Sequence, residues 1–185
     1  MAGSMVYRLR VASPDDPHIA QFRQAMGAAQ ALDDNRGYNH IAGFHGAPDW
    51  YCWHHQANPR TPLQARLFLP WHRAYLLHLE QALQDQVDRV ALPWWDWSRE
   101  QRIPDSYRVA NIDGAPNPLH RFRARVPTAD PPINRRTRRS PGTHPFARLA
   151  TATEINALLR ETDWGTFSDV LQDYHDNVHG WVGAT

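Results

Sequence analysis

Two histidine-bearing segments carry the chemistry that this sequence suggests. His72 falls on the apolar stripe of a predicted helix that has Pro70 in its first turn and ends near Arg89. His175 and His179 are four residues apart in a second predicted helix, over residues 167–182, so both rings project from one helical face and can bind one metal ion. A histidine in such a place is either a partly buried core residue or a metal ligand. Because histidines occur on both of these helices, and the helices are expected to face each other, we favour metal ligands over core residues.

The donor types narrow the choice of metal. Neutral imidazole suits copper, and a site with few carboxylates disfavours iron and magnesium. The pair His175 and His179 lacks the glutamate that follows the first histidine in zinc proteases. The sequence also lacks the Glu-x-x-His pairs of di-iron bundles and any cysteine cluster for structural zinc. Copper is therefore the metal that we expect.

Three segments resemble the tyrosinase and polyphenol oxidase family of type 3 copper proteins. Phe68-Leu-Pro-Trp-His-Arg-Ala-Tyr-Leu resembles its first copper signature, and His175-Asp-Asn-Val-His-Gly-Trp-Val-Gly resembles the start of its second. Leu92-Pro-Trp-Trp-Asp-Trp resembles the proline-aromatic-Trp-Asp-Trp loop between them. The resemblance extends from about Tyr7 to the last residue.

The resemblance implies a ligand set for two copper ions. His45, His54 and His72 would hold the first ion, and His175 and His179 would supply two ligands to the second. His54 lies in a loop beside His55, and the choice between these two neighbours stays open. Cys52 matches the Cys-x-His pattern in which some relatives join the cysteine sulfur to the ligand imidazole, so a Cys52–His54 thioether is predicted. The alternative is a small buried thiol.

The resemblance also implies a reaction. Proteins of this family bind O2 at the copper pair and oxidise o-diphenols to o-quinones, and tyrosinases also hydroxylate monophenols. An o-aminophenol is a further candidate substrate, since the same kind of site can oxidise it. The alternatives are an oxygen carrier that resembles hemocyanin, and a non-catalytic fragment of a copper oxidase.

Two positions of this chain correspond to the family residues that handle the proton of the phenol. The family often has Asn after the first ligand of the second copper, where this chain has Asp176, and a water-orienting Glu shortly before it, where Gln172 or Asp173 is nearest. Gln172 cannot act as a base. Asp176 is either the base or an acid on the helix surface.

The family's sixth histidine has no counterpart in these residues. We therefore expect a further C-terminal segment that stays bound as a separate chain and completes both the helix bundle and the second copper site. The resemblance also makes a copper-delivery helper protein a candidate partner, as some bacterial relatives need one.

Length and composition set the remaining expectations. We predict one mainly α domain over residues 1–185, an antiparallel four-helix bundle around the dicopper site with long loops and little β structure. The net charge is +1, and the single cysteine excludes an internal disulfide.

No signal peptide, membrane span or nucleic-acid motif is recognisable. The expected location is the cytoplasm, or outside the cell by export without its own signal peptide.

Local signals predict the elements between the motifs. Asp16 caps a helix from His18 to about Leu32, and Pro70 is expected in the first turn of the central helix, which would end near Arg89. Residues 98–145 have poor periodicity and predict a long loop. A capping box at Thr151 begins a short helix, and Thr166 is expected to begin the last one.

Overall fold

The computed structural model describes residues 6–11, 13–45, 61–126 and 131–183. The chain divides into two compact units. One unit comprises Met1–Gly43, Leu76–Asp96 and Pro104–Thr137, and the other comprises Phe44–Tyr75, Trp97–Ile103 and Arg138–Thr185.

Helices predominate in the described residues, as the sequence predicted. The helices are α1 (Pro17–Ala31), α2 (Tyr38–Gly43), α3 (Pro62–Gln84), α4 (Asp105–Arg108), α5 (Ala152–Leu158) and α6 (Trp164–Val182). The strands are β1 (Asn111–Ile112), β2 (Ala115–Pro116), β3 (Arg123–Val126) and β4 (Ile133–Arg136). The mainly α fold class is confirmed. No described helix is both long enough and apolar enough to cross a membrane.

The first unit has a core built on α1. Phe22, Ala25, Met26 and Ala29 recur at helical spacing and are all buried. Asp16 caps this helix by accepting from the backbone N–H of His18, and a proline occupies the first turn, as predicted. The other buried members of this core are Val11, Ile19, Leu83, Val90, Leu92 and Leu119.

Glu80 on α3 ties two extended segments of the first unit together. Its Oε2 accepts from Arg8 Nε at 2.7 Å and from the backbone N–H of Leu92 at 2.8 Å. Beside these contacts, the backbone of Trp94 pairs with that of Leu9 and Val11 through two hydrogen bonds. The N-terminal arm is therefore extended.

The segment predicted as a long loop contains two small antiparallel sheets. In the first, β1 pairs with β2, and in the second, β3 pairs with β4. The prediction of a loop over 98–145 is wrong for these residues, because strands this short give no sustained alternation of apolar and polar residues. Asn117 is buried here, and its side-chain amide donates to the carbonyl oxygens of Ser106 and Val109.

The start of α3 belongs to the second unit and begins earlier than predicted. Pro62, not Pro70, occupies the first turn, and Pro70 lies inside the helix. A proline in a helix interior removes one hydrogen bond to the carbonyl four residues earlier. The turn around Thr61 fixes this start, because Thr61 and Gln64 exchange backbone-to-side-chain hydrogen bonds of 2.8 and 3.3 Å. The end of α3 at Gln84 also precedes the predicted Arg89, which has a positive φ of 60°.

Two helices of the second unit are capped by side chains. Thr151 and Glu154 form the predicted capping box of α5. The last helix, α6, begins two residues before Thr166, because Asp163 is its N-cap and accepts from the Thr166 N–H at 2.8 Å. The prediction of Thr166 as the start of α6 is therefore wrong by one half-turn.

Candidate metal centre

Four imidazole rings converge within the second unit. They belong to His45, just after α2, to His72 on α3, and to His175 and His179 on α6. The Nε2 atoms of His45 and His72 are 2.9 Å apart, and those of His175 and His179 are also 2.9 Å apart. Two nitrogen ligands at about 2.0 Å from one tetrahedral ion would lie roughly 3.3 Å apart. The observed separations are hydrogen-bond distances and are shorter than this spacing, so the rings of each pair would move slightly apart to bind one ion.

The two pairs lie against each other. The His72 and His175 rings have centroids 5.0 Å apart, and those of His45 and His179 are 5.4 Å apart and stacked. One ligand nitrogen from each of His45, His175 and His179 fits within 4.8 Å of the others. This closeness suits a site in which two ions lie next to each other.

Two of the rings are held through their Nδ1 atoms. His72 Nδ1 lies 2.9 Å from the carbonyl oxygen of Phe68, and His175 Nδ1 lies 3.0 Å from Asp176 Oδ1. A carbonyl or carboxylate oxygen accepts, so in each neutral ring the proton is on Nδ1 and the Nε2 lone pair is left for a metal. The backbone of α3 and a side chain of α6 thus prepare two ligands in the required tautomer.

Phe68 separates the ligand helices at the base of the cluster. Its ring is buried, and its centroid lies 4.6 Å from that of His72 and 5.0 Å from that of His175. Nearby, the fully buried Ser168 of α6 donates its hydroxyl to the carbonyl oxygen of Ala65 on α3. One apolar contact and one hydrogen bond therefore fix the approach of α6 to the first turns of α3.

A segment after β4 is joined to the end of α6. Ser140 N–H donates to Val182 O, and Gly142 N–H donates to Trp181 O, each at 2.9 Å. Gly180 allows this approach, because a Cβ there would lie only 3.0 Å from the Cβ of Ala147. Gly180 directly follows the exposed ligand candidate His179, so this segment borders the cluster.

The structure brings together four of the five predicted ligands. His54 and its predicted thioether partner Cys52 lie outside the described residues, as does His55. Gln172 is fully buried one turn before Asp176, whereas Asp173 is exposed. Phe68 was not predicted as a site residue, although its position four residues before His72 places both on one face of a helix.

The donor set fits copper. Among the described residues the four converging groups are imidazoles, and the carboxylate of Asp176 contacts an Nδ1 atom rather than the converging Nε2 atoms. Imidazole nitrogen binds copper well, whereas carboxylate-rich sites suit iron, magnesium and calcium.

Comparison with known proteins gives the same class of protein, a copper protein built on helices. The family described as the common central domain of tyrosinase matches residues 35–185. The chain belongs to this family, whose members are type 3 copper proteins with a dinuclear copper site that binds O2. The expected dinuclear copper cofactor, and the binding of O2 to it, are thereby confirmed.

Individual relatives include tyrosinases and hemocyanins. The tyrosinase of Streptomyces galbus is 32% identical over 138 residues, which cover 68% of this chain and 49% of that protein. A functional unit of octopus hemocyanin has a TM-score of 0.69 and 26% identity over 97% of this chain and 44% of its own. A tyrosinase from Burkholderia thailandensis shares the fold, with a TM-score of 0.54 and 23% identity over 94% of this chain and 39% of its own. The chain spans about half the length of the Streptomyces tyrosinase.

Proposed function

We propose that this protein oxidises o-diphenols to o-quinones with O2 at a dicopper site. The observation that carries the proposal is the convergence of His45, His72, His175 and His179, with the two Nε2 pairs at 2.9 Å. His45 and His72 would hold one ion, with His54 as the predicted third ligand, and His175 and His179 would hold the other. When bound, the copper pair supplies O2 binding and the exchange of electrons with the phenol.

The neighbouring residues would orient the ligands rather than react. Asp176 contacts the Nδ1 side of the His175 ring, and the two ring nitrogens of an imidazole point in nearly opposite directions. The carboxylate is therefore directed away from the Nε2 atoms that would face the metal and the phenol. This geometry favours Asp176 as an orienting residue over the general base, which was one of the two roles that the sequence left open. Gln172, fully buried and without a titratable group, is suited to packing rather than to proton transfer.

Reversible O2 binding without oxidation is the second candidate function. The octopus hemocyanin functional unit matches nearly the whole chain with a TM-score of 0.69, which is higher than that of the Burkholderia thailandensis tyrosinase. An o-aminophenol oxidase and a monophenol hydroxylase are finer variants of the first proposal. All of these functions use the same ligand set, so only the fate of an added substrate distinguishes them.

The second copper ion needs one more ligand than His175 and His179 provide. We propose that a histidine on a segment outside these 185 residues supplies it, bound as a separate chain. In support, His179 is exposed within the described residues, which leaves one side of the cluster accessible to a further element. A copper-delivery helper protein remains a proposed partner of the same site.

One experiment tests these proposals together. The purified protein would be analysed by intact mass under denaturing conditions and by copper content, and then assayed with catechol for o-quinone formation and O2 uptake. Two copper ions per particle with catechol turnover support the oxidase, and two ions with reversible O2 binding but no turnover support the carrier. One ion or none in a lone 21.3 kDa chain would contradict both functions. The same mass spectrum would show a loss of two hydrogens if Cys52 is joined to His54.

A further inference from the structure

A basic cleft lies in the first unit, which does not contain the histidine cluster. Arg121, Arg123 and Arg125 line a cavity of about 250 Å³ together with Asn39 and Phe122. Nothing in the proposed copper chemistry uses these residues. They come from the alternating run Arg-Phe-Arg-Ala-Arg-Val that continues into β3.

The cleft has a fixed wall. The side chain of Asn39 accepts from the backbone N–H of Arg125 at 2.7 Å and donates to the carbonyl oxygen of the same residue. The rings of Tyr38 and Phe122 also meet edge to face, with centroids 4.9 Å apart. Because β3 is joined to α2 by both contacts, the backbone that carries the arginines is positioned before any ligand arrives.

One arginine of the cleft faces a like charge on the neighbouring strand. In the β3–β4 register Arg123 is directly opposite Arg136, and like charges in such a cross-strand pair oppose folding. Asp33 also lines the cleft, and its carboxylate lies 3.8 Å from Arg125. Both side chains are largely exposed, so this pair is screened by water. In the part of the chain that the structure describes, no carboxylate lies within ion-pair distance of Arg121 or Arg123.

We propose that this cleft binds a small dianion, a molecule that carries a phosphate group or two carboxylates. Guanidinium groups present paired donors that match the oxygen atoms of both groups. The cavity is slightly smaller than the roughly 300–1,000 Å³ of pockets for drug-sized ligands, which favours a small anion. A bound dianion would offset the repulsion between Arg123 and Arg136. This site is independent of the copper centre and of its proposed function.

Isothermal titration calorimetry with two probes, inorganic phosphate and succinate, tests the proposal on the purified protein. We expect saturable binding of at least one probe with one site per chain, and weaker binding as salt is added. Binding of phosphate alone or of succinate alone supports the site and assigns its ligand chemistry. Copper content measured before and after the titration would show that the heat does not come from loss of the metal.

A matched pair of variants separates the cleft from general electrostatic attraction. Arg123→Gln removes a cleft arginine, whereas Arg135→Gln removes the same charge from β4 at a residue opposite Ala124, on the other face of the hairpin. We expect Arg123→Gln to weaken binding by about tenfold, as expected for one charge-assisted hydrogen bond. Arg135→Gln should change it by no more than about twofold, because screening weakens the effect of a charge outside the cleft.

Two results would overturn the proposal. One is the absence of saturable binding for both probes, and the other is an equal loss of affinity in the two variants. Arg123→Gln removes a repulsion and also the hydrogen bond from Arg123 Nη1 to Asn134 Oδ1 at 2.6 Å, while the backbone contacts of Asn39 stay intact. The unfolding temperature measured without the probe therefore shows whether the variant is folded. Thermal unfolding provides an independent readout. The probe should raise the unfolding temperature of the original protein and of Arg135→Gln, and raise it much less for Arg123→Gln.

Discussion

His72 donates the Nδ1 proton of its imidazole to the carbonyl oxygen of Phe68, one turn earlier on the same helix, across 2.9 Å. The opposite ring nitrogen, Nε2, lies 2.9 Å from Nε2 of His45. The backbone of α3 therefore selects the tautomer that a metal ligand needs, before any metal is bound. The ring also gains a fixed direction, because Phe68 packs against it at a centroid distance of 4.6 Å.

The first prediction concerns the ligands themselves. His72→Ala and His179→Ala each remove one converging Nε2 atom, so each should lower the copper bound per chain by about one ion, with tight binding lost at the affected site. Atomic absorption after dialysis against a weak chelator measures the metal that remains. His78→Ala is the matched control, because this exposed histidine lies on the same helix as His72 but outside the cluster. Equal copper loss in His78→Ala would contradict the assignment.

The second prediction concerns Asp176. Asp176→Ala removes the acceptor of the His175 Nδ1 proton, and loss of such a support weakens metal binding by about 10–100-fold. Asp176→Asn keeps an acceptor oxygen and should cost much less, about twofold to fivefold. A competition titration with a copper-binding dye measures both affinities. If Asp176 is instead the base, Asp176→Asn would abolish catechol oxidation while copper binding stays unchanged.

The sequence predicted the ligand positions better than the boundaries of the elements that carry them. Histidine spacing and the family resemblance identified His72, His175 and His179, because a helix repeats its faces at fixed intervals. The starts of α3 and α6 were misplaced, since Pro70 and Thr166 both match local signals for a first turn. Tertiary contacts decide between such signals. In the structure α3 begins at Pro62, and the N-cap of α6 is Asp163.

Contacts that join distant segments were not predictable from local patterns. The Phe68 carbonyl contact lies within one helix, yet the position of Phe68 between His72 and His175 depends on how α6 packs. The basic cleft had a visible signal, arginine at every second residue from Arg121 to Arg125, which is the period of a strand. The run nevertheless falls within the predicted loop over 98–145, because the strand is short and its pairing partner is charged as well.

The third prediction concerns Gly37, which precedes α2. A Cβ at this position would lie 2.2 Å from the carbonyl oxygen of Leu32, and a backbone atom cannot rotate away. Gly37→Ala should therefore lower the free energy of unfolding by about 1–3 kcal/mol. Gly27→Ala in α1 is the control, since its Cβ would meet Pro118 at an ordinary 3.5 Å and alanine favours the helix. Urea unfolding of both variants measures the difference, and equal stabilities would contradict the clash.

The last prediction concerns pH and the α5 cap. The Arg148 guanidinium lowers the pKa of Glu154 from 4.5 to about 2, with smaller contributions from the backbone and hydroxyl of Thr151. A carboxyl whose pKa is lowered by folding adds stability that is fully present above pH 4.5 and is lost as the pH falls towards 2. Glu154→Gln should therefore unfold at a lower temperature than the original protein at pH 7, and the difference should shrink between pH 4.5 and 2.

Arg148→Gln is the control for this prediction, because it removes the principal cause of the pKa shift and leaves the carboxyl group of Glu154 in place. Its stability should depend less on pH over the same range, while Thr151 continues to cap the helix. The Arg148 side chain is exposed and that of Glu154 is partly exposed, so raising the salt concentration should reduce the effect of the ion pair. Thermal unfolding at several pH values measures all three proteins. A temperature difference between Glu154→Gln and the original protein that stays constant from pH 7 to pH 2 would contradict the shifted pKa.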